Sequence, residues 1–182
     1  LILMDYQLSK KAIFLDRDGV INKDVDYLSK VVDFEFIKGI FEACKYLQKL
    51  GYSLIIVTNQ SGIARGYYSE NDFHVINNWM INQFSENNVS ILDVFFCPHS
   101  NKSNCECRKP KPGMFIEAKN KYNINMGESW MIGDSERDIL AASSAGIVNT
   151  ILVRSGHKID EENSEAKFYL DSIKHISNLI KY

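Results

Sequence analysis

Two aspartates one residue apart, Asp16 and Asp18, stand where the apolar run Ala12 to Leu15 gives way to Gly19. An apolar run that hands over to charge and then to glycine reads as a buried strand delivering a loop at its carboxyl end. Alone, such a pair is as readily an acidic turn as a chemical group. Three further segments change the balance: Thr58-Asn59-Gln60-Ser61-Gly62, Arg108-Lys109-Pro110 and Gly133-Asp134-Ser135, each placed after a predicted strand or a cysteine-rich loop. At the carboxyl edge of one parallel sheet all four segments would converge. Carboxylates that hold a divalent cation or move protons, with a lysine and hydroxyls beside them, suit chemistry on an anionic group. Each residue also has a plainer reading. Thr58, Asn59 and Ser61 can be turn formers, Asp134 can cap the next helix, and Lys109 can be a solvated charge.

A second constellation is Cys97-Pro98-His99 followed, five residues later, by Cys105-Glu106-Cys107. One imidazole and three thiolates make a closed tetrahedral zinc site, with no position left for water or substrate. The metal expected there is structural, and its task is to fix the loop that presents Arg108 and Lys109. In a reducing compartment such a cluster reads as metal ligands and not as disulfides. Cys44 falls on an apolar helical face and is expected in the core. His74, His157 and His175 show no partner pattern and are expected at the surface or in structural roles.

These groups need elements to hold them. Ser53 to Thr58 reads as a second strand, and between it and the first Ile40, Phe41, Cys44, Leu47 and Leu50 recur at helical spacing before Gly51. The βαβ pattern continues with a helix from Glu70 to Glu86, a strand Ile91 to Phe96, a helix Gly113 to Tyr122, a strand Trp130 to Ile132, a helix Glu136 to Ala145 and a strand Thr150 to Val153. Alternation of this kind predicts an α/β fold with a parallel sheet covered on both faces. A last helix is expected within Glu165 to Tyr182. Nothing divides the 182 residues, so one domain over 1–182 is expected. A net charge of −2 and the lack of any dense Lys or Arg run leave no nucleic-acid or membrane-surface footprint. No apolar stretch approaches the roughly 20 residues that span a bilayer. The opening residues resemble no secretory signal, those before Met4 read as foreign to the protein, and a cytoplasmic monomer is expected.

The four strand-end segments, with Phe14-Leu15-Asp16-Arg17-Asp18-Gly19-Val20-Ile21 first, resemble the haloacid-dehalogenase superfamily of phosphatases from Lys11 to about Gly156. The resemblance implies a Rossmannoid three-layer domain with a minimal cap. It also implies that Asp16 attacks phosphorus, Asp18 serves as general acid and base, and Thr58 and Lys109 hold the phosphoryl group. Asp16, Asp134 and the Asp18 backbone carbonyl would bind a catalytic Mg²⁺. The residue types fit that chemistry independently. An ionised carboxylate needs no base to become a nucleophile, but it is repelled by an anionic phosphate until a cation and a lysine remove the repulsion.

The zinc loop and Thr58 to Gly66, which reads Thr-Asn-Gln-Ser-Gly-Ile-Ala-Arg-Gly, look like the heptose-bisphosphate phosphatase branch. That resemblance implies a small sugar bisphosphate as partner and substrate, contacts from Asp24, Tyr27, Asn59, Gln60, Ser61 and Ser135, and a second phosphate held by Arg65 and Arg108. The similar histidinol-phosphate phosphatases are the alternative, with Asp24 and Asp26 meeting an amine; a zinc-stabilised binding protein without activity is a further one. Two departures stand out. The segment between His99 and Cys105 is short, and Ser135 stands where a lysine often appears.

Overall fold

The computed structural model describes residues 9–181, so the expectations for the opening residues fall outside it. Strands β1 (Ala12–Leu15), β2 (Ser53–Asn59), β3 (Ile91–Cys97), β4 (Trp130–Gly133), β5 (Asn149–Val153) and β6 (Phe168–Leu170) form one sheet in the order β3-β2-β1-β4-β5-β6. Every neighbouring pair is parallel. Alternation along each strand sends its side chains to two separate cores. Ile13, Leu15, Leu54, Ile56 and Ile132 meet helices α1 (Ile40–Lys49) and, after the single turn α2 (Ser61–Ala64), α3 (Glu70–Glu86). Ala12, Phe14, Ile55, Val57 and Met131 meet α4 (Gly113–Tyr122) and α5 (Glu136–Ser144) on the other face. Burial on both faces is why these strands read as continuous apolar runs and not as alternating ones. Cys44 is fully buried among the first set, as its helical position implied.

The chain runs outward from β1 through β2 to β3, then crosses back to place β4 on the far side of β1. That reversal opens a crevice beyond the carboxyl ends of β1 and β4, where parallel α/β sheets bind ligands. Over the crevice stand two excursions. One is the 17–39 loop, tied by bridges from Asn22 to Asp18 and Phe36 and carrying a 3-10 turn at Val31–Asp33; the other is the cysteine loop after β3. Among the described residues no domain-sized insertion covers the strand ends.

The elements expected from the sequence lie within one residue of the observed bounds, except at the end of the chain. In place of a last helix, Phe168–Leu170 pairs with β5 and a 3-10 helix follows at Ile173–Asn178. An apolar triplet beside an open sheet edge gains ladder hydrogen bonds at once, whereas a short helix must first nucleate. Ile173 and Ile176 then bury against the α1 side, and Tyr46 Oη donates to the Ile180 carbonyl at 2.8 Å.

Asp93 ties β3 to α4, accepting from Lys121 Nζ at 2.8 Å and Tyr122 Oη at 2.7 Å. Burial alone would raise its pKa, but the Lys121 and Tyr122 hydrogen bonds outweigh it and the carboxyl titrates below its ordinary value. A depressed folded pKa contributes stability above the unfolded value of about 3.9 that is lost as pH falls through the folded value. Asp93→Asn is therefore expected to cost roughly 0.5–1 kcal/mol at pH 7, since the lysine is half exposed. The deficit should fade in denaturant titrations below about pH 4.

Candidate active site

The first residue after β1 is Asp16, the first after β4 is Asp134, and Asp138 follows one turn into α5. Carboxylate oxygens of all three lie within 4.8 Å of one another. Lys109 enters from the cysteine loop, and its Nζ lies 3.0 Å from Asp16 Oδ1 and 2.6 Å from Asp138 Oδ1. It also donates to the Val57 carbonyl at 2.9 Å. All three ammonium hydrogens are thus engaged, and at 2% exposure Lys109 is not a solvated charge. Its backbone is held as firmly: Asn59 Nδ2 donates to the Lys109 carbonyl and the Lys109 N–H donates to Asn59 Oδ1, both at 3.1 Å. Asn59 lines the cleft, but its amide is committed to this clamp.

Burial drives the Asp16 carboxyl well above the usual range; Asp138 and then Asp134 add to the rise, and Lys109 opposes it. Asp134 is raised by burial and by Asp138, against hydrogen bonds from His157. Lys109 would be lowered by burial, yet Asp138 and Asp16 carry it above its ordinary value. Of the three clustered carboxylates, two pair with the Lys109 ammonium and the third does not, and an oxygen-lined site with surplus negative charge is one a hard divalent cation fits.

Asp134 is packed from two sides by backbone that carries no side chain. A Cβ built on Gly19 would lie 2.1 Å from Asp134 Oδ2, and one on Gly156 would lie 1.9 Å from it. His157 closes the cradle, with its N–H donating to that oxygen at 2.9 Å and Nδ1 at 2.7 Å. Its Nε2 faces Asp24 at 3.7 Å. His157 is exposed, and the sequence shows no partner pattern for it; following β5, it shares the strand-end geometry and so reaches Asp134. Asp134 is not the helix cap either. Ser135 is, with its N–H donating to Asp138 Oδ2 at 3.1 Å.

Asp18 faces a separate set of donors. Arg17 grips it through Nη2 at 2.9 Å to both oxygens and Nε at 3.2 Å, while Asn22 adds a contact at 2.9 Å and Gln60 one at 3.1 Å. Burial would raise the Asp18 pKa, but Arg17 and these hydrogen bonds hold it below the ordinary value. Gln60 continues the network, donating to Thr58 Oγ1 at 2.8 Å and accepting from Tyr68 Oη at 2.6 Å.

These groups floor a cleft of about 290 Å³. The structure brings the residues expected for catalysis, magnesium and substrate to it: Asp16, Asp18, Thr58, Lys109 and Asp134 below, with Asp24, Tyr27, Asn59, Gln60, Ser61, Arg65, Arg108 and Ser135 around. The Arg65 guanidinium stands 5.7 Å from the Tyr27 ring centroid, and Tyr27 meets Tyr67 edge-on at 4.7 Å. Arg17, Arg137, Asp138 and His157 also line the cleft and were not anticipated. The four-residue spacing of Asp134 and Asp138, at a strand end and in the helical turn after it, was the signal available for Asp138.

Beside the cleft, Cys97, His99, Cys105 and Cys107 place one ligand atom each within 4.8 Å of the others. Cys97 Sγ is 3.7 Å from Cys105 Sγ, close to the separation of about 3.8 Å that two thiolates adopt on one tetrahedral zinc, and 3.0 Å from Cys107 Sγ, which is tighter than that spacing. His99 Nδ1 lies 3.5 Å from Cys97 Sγ and 3.2 Å from Cys107 Sγ. None of the four cysteines is in a disulfide, and the donor set fits zinc.

Comparison with known proteins agrees with this geometry. A family model described as HAD-hydrolase-like matches residues 106–176. The D-glycero-beta-D-manno-heptose-1,7-bisphosphate 7-phosphatase of Vibrio cholerae is 46% identical, over 95% of this chain and 97% of that one. The corresponding alpha-anomer enzyme of Campylobacter jejuni is 44% identical, over 96% of this chain and 98% of that one. Among solved structures, the D,D-heptose 1,7-bisphosphate phosphatase of B. bronchiseptica, complexed with magnesium and phosphate, superposes with a TM-score of 0.82 at 28% identity. That alignment covers 92% of this chain and 96% of the other.

The raised Asp16 pKa has a measurable consequence. A carboxyl whose folded pKa exceeds its unfolded value contributes stability below about pH 3.9 and loses it as pH rises through the folded pKa. At neutral pH and without divalent cations, ionised Asp16 is thus a cost. Asp16→Asn should raise Tm in magnesium-free buffer at pH 7, and the gain should shrink toward pH 4. Calorimetry across that range is the check.

Proposed function

The chain belongs to the heptose-bisphosphate phosphatase family of haloacid-dehalogenase-like hydrolases, and we propose that it removes the 7-phosphate of D-glycero-D-manno-heptose 1,7-bisphosphate. The observation that carries this reading is the Lys109 ammonium between Asp16 and Asp138 at the floor of an open, arginine-rimmed cleft. A primary phosphate at the end of a sugar chain can reach that floor, where Lys109, exchanging its Asp16 contact for a phosphate oxygen, and the Thr58 hydroxyl would hold it. Asp16 attacks phosphorus, the bond from phosphorus to the sugar oxygen breaks, and Asp18 gives its proton to the departing alkoxide. Water then attacks the aspartyl phosphate, Asp18 takes the water's proton, and inorganic phosphate leaves with Asp16 restored.

At rest Asp18 is in the ionised form needed for the second half. For the first half it must gain a proton, and the arriving anionic phosphate favours this because a nearby like charge raises a carboxyl pKa. Arg17 fixes where the carboxylate stands. Asp138 acts through Lys109, since one oxygen holds the ammonium and the other accepts from Ser135. Asp16, Asp134 and the Asp18 carbonyl would hold Mg²⁺, which supplies charge neutralisation between nucleophile and phosphate. Cys97, His99, Cys105 and Cys107 would hold a structural Zn²⁺ that stiffens the loop ending in Arg108 and Lys109. Thiols kept out of disulfides suit a cytoplasmic setting, and among the described residues no helix is long and apolar enough to cross a membrane.

Arg65 and Arg108 hold the phosphate that stays behind through charge-assisted hydrogen bonds. The ammonium end of a substrate such as histidinol phosphate would be repelled by the same groups, and no observation favours an inactive binding protein.

Two measurements test the reading. NMR identification of the product should give heptose 1-phosphate and inorganic phosphate; heptose 7-phosphate as product, or no turnover, would overturn it. Metal analysis should find about one zinc per chain, and zinc-stripped protein should lose activity that added magnesium does not restore. Normal turnover by zinc-free protein would show the cysteine cluster to be misread.

A further inference from the structure

Arg137 is the second residue of α5, exposed, and lines the same cleft as Arg65 and Arg108. Its place is electrostatically unfavourable in two ways. It puts a cation at the positive end of a helix, where acidic residues are preferred. It also adds to a group of like charges, because the Arg108 guanidinium, drawn down first by burial, is drawn down further by Arg137 and by Arg65. Among the described residues no carboxylate forms an ion pair with Arg65, Arg108 or Arg137. The other surface arginine on a strand-end loop, Arg154, shows the contrast: it pairs with both Glu161 and Asp171.

Three un-neutralised guanidiniums around one cleft make a site for a compact polyanion. The floor already has its own cation for the phosphate under attack, since Lys109 is buried there against Asp16. The rim cations are therefore left for a second anionic group, at the far end of the substrate. Two contacts aim Arg137 and Arg108. Arg137 Nε donates to Ser135 Oγ at 3.3 Å, at the lip of the strand-end crevice, and Arg108 Nη1 donates to the His99 carbonyl at 3.2 Å. Each leaves further N–H groups of its guanidinium for a ligand.

We infer that Arg137 is a specificity-determining residue that, with Arg65 and Arg108, binds the phosphate retained in the product. The inference rests on the bisphosphate reading above and adds to it a residue on a third segment of chain. A guanidinium suits this task because its fork engages two phosphate oxygens at once.

The test compares kcat/KM on D-glycero-D-manno-heptose 1,7-bisphosphate and on heptose 7-phosphate, which lacks the second phosphate, for wild type, Arg137→Ala and Arg137→Glu. An exposed residue in the first turn of a helix leaves folding intact in both variants, and a thermal melt verifies that. Arg137→Ala should lower the ratio of the two kcat/KM values about tenfold or more, the loss expected for one charge-assisted contact, and the change should lie mainly in KM. Arg137→Glu should lower it further. A wild-type preference for the bisphosphate that survives in Arg137→Ala would overturn the assignment of Arg137 alone, as would equal losses on both substrates. A wild type with no preference for the bisphosphate would overturn the function reading and this inference together.

Discussion

Crowding of negative charge against a single ammonium is the constraint on which the rest of the structure depends. Asp16, Asp134 and Asp138 bring their oxygens within 4.8 Å of one another, and Lys109 is the only lysine among them. Such a cluster would drive a small protein apart were it not bolted to something stiffer. Parallel strands provide that, since β1 and β4 are hydrogen-bonded neighbours with fully buried residues just beneath the site. Gly19 and Gly156 let the backbone approach Asp134 more closely than any side chain would allow. Asn59, at the end of β2, anchors the Lys109 backbone from the third direction.

This arrangement divides the molecule by depth. Below, the sheet and its two cores fix groups that have little freedom: Lys109 and Arg17 are almost wholly buried, Lys109 against Asp16 and Asp138 and Arg17 against Asp18. Above, the rim is built from loops and a helix start, and among the described residues no domain closes over it. An enzyme without a lid cannot exclude water by enclosing its ligand, so orientation must come from fixed contacts made on arrival. The same division explains why Asp18 and Asp16 differ although one residue separates them. Asp16 sits among like charges and titrates above its ordinary value, whereas Asp18 turns toward Arg17, Asn22 and Gln60 and titrates below it.

Much of this was legible in the sequence because strand ends leave a local signature. Apolar runs ending in Asp16, Thr58 and Gly133-Asp134 announced both the sheet and the edge where ligands would sit, and the cysteine spacing announced the tetrad. What escaped reading depended on the third dimension. His157 follows a strand like the others, but its loop, Arg154-Ser155-Gly156-His157, carries no motif; only the fold brings it to Asp134. Arg17 lies inside the most prominent motif, yet its burial against Phe73 and its grip on Asp18 are matters of packing. The last stretch holds a 3-10 helix where a helix is expected, but the strand before it is not legible because the open edge of β5 is invisible to local propensity.

The rim has a consequence for how such a protein changes over generations. Arg65 follows β2, Arg108 ends the cysteine loop and Arg137 opens α5, so the three guanidiniums sit on segments far apart in sequence. A substitution in one of them leaves the sheet, the carboxylates and the lysine untouched. Ligand preference can therefore drift by single steps, each visible to selection, while the bond-breaking apparatus is inherited whole.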